Sequence, residues 1–147
     1  MYGPILALLT LLFLLRILGQ ALVVFAAVGW LPANEQWFSG LIPYPILLTI
    51  QIIMLAGMAK ITADIWRVEG YFATLRPNWS PMMVGFSVLY AVGMVARYLL
   101  TMIFRPDMRW LGGTIPIFFH FVLAGFVFTL GRYHAGNRLF ARHDPPC

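Results

Sequence analysis

Three side chains able to hydrogen-bond or carry charge interrupt separate apolar runs at a similar depth: Gln51, Arg97 and His120. Gln51 follows Tyr44 by seven residues, Arg97 precedes Phe104 by seven, and His120 follows Thr114 by six. At about 1.5 Å per helical residue, each lies about 10 Å below the same surface. Gln20 joins them slightly deeper, one helical turn beyond Arg16. An amide, a guanidinium and an imidazole together offer donors suited to a quinone carbonyl or a lipid phosphate. No carboxylate is expected at that depth, so Arg97 needs an anion, a carbonyl oxygen or a partner subunit. The structural alternative is that Arg16 and Arg97 snorkel along their own stems to the two surfaces, and that His120 donates to a backbone carbonyl.

Lys60, Asp64 and Arg67 form a second group, spaced for an ion-pair ladder along one helix face. Such a ladder is a structural brace. The sharper alternative is a proton relay through Asp64, as in small proton-coupled transporters. A carboxylate beside two cations stays ionised, which disfavours the relay.

His120 and His134 stand 14 residues apart on one run, about 21 Å along a helix. Membrane b-type cytochromes use this spacing on two helices to hold stacked haems. Here the only other histidine is His143, so haem would need a homodimer or a partner. No protein metal site is expected. The chain has no HExxH, no Gly-x-Ser-x-Gly and no Walker loop, and no catalytic residue is assigned. The single cysteine, Cys147, excludes an intramolecular disulfide. The eight methionines are read as packing side chains.

These groups are carried by four long apolar blocks that prolines delimit. Pro4, Pro45, Pro81 and Pro116 open the blocks, while Pro32, Pro77, Pro106, Pro145 and Pro146 follow their ends. Proline fits the first turn of a helix and disrupts its interior. The pattern predicts four uninterrupted membrane-spanning helices over about 5–31, 44–66, 81–104 and 114–134, followed by a basic tail over 135–147. Each satisfies the roughly 20 residues that a span requires. Of the 147 residues 61% are hydrophobic and only 10% charged, against about 25% in soluble domains. The fold class is therefore all-α, a single integral membrane domain built as an antiparallel four-helix bundle.

Arg67, Arg76, Arg132, Arg138 and Arg142 fall on the side shared by both termini, against Arg105 and Arg109 on the other. By the positive-inside rule both termini are cytoplasmic. Trp30, Trp37, Trp66, Tyr71, Trp79 and Trp110 mark the two interfaces. The cations are dispersed rather than gathered into a stripe, so the net charge of +5 does not point to nucleic acid. Ser80 and Thr114 are candidate helix caps.

Four short spans with Arg16-x-x-Gly19 in the first resemble the small DoxX-type bacterial membrane proteins. The likeness covers topology and that one motif, and it implies no function. The sequence is thus read as a multi-pass protein of a bacterial inner membrane, in contact with the lipid bilayer. The leading functional expectation is a non-enzymatic accessory, assembly or interaction subunit, partnered by other membrane subunits or by its own copies. The alternative is a binder of quinone, lipid or haem near Gln20, Gln51, Arg97 and His120. A proton-coupled transporter using Asp64 ranks third, because no interrupted helix is expected.

Overall fold

The computed structural model describes residues 2–26, 43–74, 76–104 and 114–136. They contain four α-helices: α1 (Tyr2–Ala26), α2 (Tyr44–Arg67), α3 (Ser80–Phe104) and α4 (Thr114–Ala135). Each is long and apolar enough to cross a membrane. The proposed end of the first span at 27–31 lies outside the described residues. So do both connecting segments that carry Trp30, Trp37, Arg105, Arg109 and Trp110, and the tail from 137 onward.

The prolines act at helix starts. Pro43 precedes α2 in an extended conformation (φ −55°, ψ 138°), and its carbonyl accepts from the amides of Ile46 and Leu47, both at 3.1 Å. Pro45 sits in the first turn, where no amide proton is needed. Ser80 is itself the first residue of α3. At the other end of α2 the chain turns through Val68, a β-branched residue in the left-handed region (φ 57°). That conformation costs about 1–2 kcal/mol for an L-residue. The turn is held because the Glu69 amide donates to the Asp64 carbonyl at 3.0 Å.

Side-chain pairs fix the directions of the helices. Thr10 meets Thr62 and Gln20 meets Gln51, so α1 and α2 run antiparallel. Arg16 meets Phe119 and Tyr2 meets Tyr133, so α4 opposes α1. Tyr90 meets His120, while Met83 and Val84 face Gly131, so α3 opposes α4. The packing order is α2–α1–α4–α3, and among the described residues α2 and α3 do not pack on each other. The start of α1 therefore shares one end of the molecule with the end of α4.

The buried apolar core comes from three helices: Leu6, Phe13 and Ile17 of α1, Met58 and Ile65 of α2, and Val122, Phe126 and Leu130 of α4. Only 6% of the most apolar stretch of α3 is buried, against 33% for α4. The third helix thus leans on the set rather than contributing to its centre. What brings it close is Gly131. A methyl group there would stand 2.9 Å from Val84 Cγ2, 3.1 Å from Met83 Cβ and 3.2 Å from the Val84 amide nitrogen. Small residues allow this backbone approach between apolar helices. Beneath, the described residues between α2 and α3, 68–74 and 76–79, are tied to α4. Tyr133 Oη donates to the Ala73 carbonyl (2.8 Å), and the Arg76 amide donates to His134 Nδ1 (3.3 Å).

Replacing Gly131 by leucine should force α3 off α4 and destabilise the protein by about 1–3 kcal/mol, the usual overpacking cost. Gly57→Leu, at a position with nothing within 4 Å, should not. Thermal unfolding of the two variants in detergent checks the contrast.

Candidate functional site

The strongest polar feature is a buried group where α1, α2 and α4 meet. Arg16 and Gln20, one turn apart on α1, are 8% and 1% exposed, and Gln51 of α2 is 3% exposed. Gln51 Nε2 donates to Gln20 Oε1 at 3.3 Å. That single bond leaves Gln20 Nε2 and Gln51 Oε1 without partners among the described residues, and Arg16 Nε is likewise unpartnered. Turning both amides over merely exchanges the roles of the two side chains. One donor and one acceptor remain free either way. The guanidinium carbon of Arg16 lies 5.4 Å from the centre of the Phe119 ring on α4, a cation–π contact that holds the head inside the helix set.

Beside it, Tyr90 Oη and His120 Nδ1 are hydrogen-bonded across α3 and α4 at 2.5 Å. The Tyr90 ring also stacks on Phe86, with centroids 5.9 Å apart. The structure therefore brings Gln20 and Gln51 into contact, buries Arg16 one turn from Gln20 on α1, pairs His120 with Tyr90, and leaves Arg97 exposed.

Two features were not anticipated from sequence. Arg16, rather than Arg97, is the enclosed cation, because the α1 face carrying Arg16 and Gln20 turns toward both neighbours. Nothing in the sequence identified Tyr90 of α3 as the partner of His120.

A burial cost is attached to this arrangement. An unpaired buried donor or acceptor costs about 1–3 kcal/mol, and more when charged. Buried polar groups are almost always partnered, by protein or otherwise. The free atoms of Arg16, Gln20 and Gln51 are two donors and one acceptor.

The Lys60–Asp64 group has a different character. Lys60 Nζ bonds Asp64 Oδ1 at 2.5 Å, and the Phe72 amide donates to Asp64 Oδ2 at 3.4 Å. Gly70 adopts φ 98°, and a side chain there would collide with the Asp64 carboxylate at 2.7–2.9 Å. Arg67 makes no ion pair with Asp64 within bonding distance among the described residues. Asp64 thereby ties the end of α2 to the turn that follows, which is a bracing role. The signal was legible: a carboxylate in the last turn with a glycine six residues on.

His134 accepts the Arg76 amide proton on Nδ1. The neutral ring then carries its proton on Nε2, and neither nitrogen has a lone pair available for iron. Among the described residues, no three His, Cys, Asp or Glu side chains cluster to hold a metal ion. The Arg76 guanidinium lies over the Tyr71 ring at 3.9 Å and faces Trp79 at 5.5 Å, forming an aromatic-flanked cation at the shared end of the helices.

The glutamine pair permits a double-mutant test. Gln51→Leu alone should cost about 1–3 kcal/mol by orphaning the Gln20 amide, whereas Gln20→Leu with Gln51→Leu should recover most of that loss. Thermal unfolding of the ligand-free protein measures the coupling.

No family model, no curated protein and no solved structure matches this chain, so the DoxX-type likeness rests on topology and Arg16-x-x-Gly19 alone.

Proposed function

We propose that this chain is a non-enzymatic binding subunit of a bacterial inner membrane. In this reading the helices form an antiparallel bundle with both chain ends cytoplasmic. The buried Arg16–Gln20–Gln51 centre receives the oxygen-bearing head of a lipophilic molecule, such as a quinone carbonyl or a lipid phosphate. The observation that carries the reading is the set of unpartnered atoms, Arg16 Nε, Gln20 Nε2 and Gln51 Oε1, enclosed where water has little access. An oxygen acceptor would satisfy the two donors at once, and a charge-assisted bond from Arg16 would dominate its affinity. His120 and Tyr90 supply a further polar pair nearby. The orientation is supported by Arg67, Arg76 and Arg132, which fall at the end shared by the start of α1 and the end of α4.

A second reading, an accessory subunit that docks on another membrane protein, is favoured by α3. Its outward glycines, Gly85 and Gly93, have nothing within 4 Å, and a partner helix could approach there closely. Gly93→Leu should then release a stoichiometric partner without lowering the thermal stability of the isolated chain.

For the first reading, protein purified in mild detergent should yield about one lipophilic molecule per chain on organic extraction and mass spectrometry. Arg16→Met should reduce its retention about tenfold or more, the loss expected for one hydrogen bond from a charged donor. An empty wild-type extract, or equal retention by Arg16→Met, would sink the proposal.

A further inference from the structure

Between α1 and α2, in the half of the molecule that holds Arg67, runs an open groove of about 430 Å³. It is separate from the Arg16 centre. Its walls are mostly apolar, with Ala7, Leu11 and Leu14 on α1 and Ala59 and Ala63 on α2, and Thr10 and Thr62 lie between them. Thr10 Oγ1 donates to the Leu6 carbonyl at 2.8 Å, so the 3.0 Å bond between the two hydroxyls is donated by Thr62. Both hydroxyl protons are thereby consumed within the groove wall. The groove offers them to no polar guest.

At one end the character changes. Trp66 is 58% exposed, and Arg67 is exposed with no ion pair among the described residues. Lys60 already holds Asp64, which leaves Arg67 as the cation available to an anion. An amphipathic indole beside a free guanidinium, at the end of an apolar span, is the composition of the headgroup level.

We propose that this groove holds one acyl chain of an anionic phospholipid whose phosphate is met by Arg67. Length and charge favour that occupant. From Ala59 to Arg67 the groove follows α2 for about 12 Å, at about 1.5 Å per residue. One leaflet of hydrocarbon is about 15 Å deep, half of the roughly 30 Å core. A chain that fills this length brings its anionic head to the level of Arg67.

The test is native mass spectrometry of delipidated protein in mild detergent, titrated with phosphatidylglycerol or with phosphatidylcholine of the same chains. Wild type should retain one phosphatidylglycerol in preference to phosphatidylcholine. Arg67→Gln should reduce that preference about fivefold, the attraction of one cation at the surface of an anionic membrane. Ala63→Phe should remove the retained lipid with an unchanged thermal midpoint. Should Ala63→Phe fail to fold, the exposed Arg67→Gln decides the question alone. Equal retention of the two lipids by wild type overturns the proposal, as does retention unaltered by a folded Ala63→Phe or by Arg67→Gln. A dimer that Ala63→Phe dissolves would assign the groove to a second copy and overturn it too.

Discussion

The seam between α1 and α4 is the contact on which the rest of the structure depends. Helix α2 packs on α1 and helix α3 packs on α4, and among the described helix–helix contacts only this seam joins the two pairs. It is built from Leu6, Phe13 and Ile17 on one side and Val122, Phe126 and Leu130 on the other. Ala124 is buried in it, and at the adjacent Gly125 an added Cβ would stand 3.8 Å from the Leu9 side chain, an ordinary contact. In hydrocarbon, apolar residues gain little from leaving lipid, so close packing and small residues must supply the cohesion. The seam has both.

Placing polar groups beside that seam follows from the same geometry. Arg16 lies one residue before Ile17 of the core, and its head meets Phe119 across the seam. Gln20, one turn further along the same face, bonds Gln51 of α2. One face of α1 therefore carries apolar packing over its first half and polar chemistry over its second. The molecule is divided accordingly. One half contains the Asp64 brace, the loop stitched to Tyr133 and His134, and the apolar groove. The other contains the buried donors.

The two proposed sites differ in what they ask of a guest. The Arg16 centre is enclosed and short of an acceptor, so it selects for a polar head carried by an apolar body. The α1–α2 groove has its hydroxyls satisfied and its cation outside, so it selects for an apolar chain with a charged end. Both demands are met by molecules that partition into membranes, which fits a chain whose four helices are long and apolar enough to cross one.

Proline placement and apolar length were sufficient to fix α2, α3 and α4 from sequence to within a residue at each described end, because helix starts are local chemistry. Counting set Gln20 slightly deeper than Gln51, and the two side chains meet between α1 and α2. Rotation was not legible. A helix can present any face to its neighbours, and an apolar run surrounded by apolar residues gives no amphipathic stripe to fix it. That is why Arg97, equal to Arg16 in the sequence, turns outward while Arg16 is enclosed. The partnering of His120 with Tyr90, the open side between α2 and α3, and the close approach at Gly131 were likewise decided only when four helices packed together. Each depends on distances between helices that no local pattern encodes.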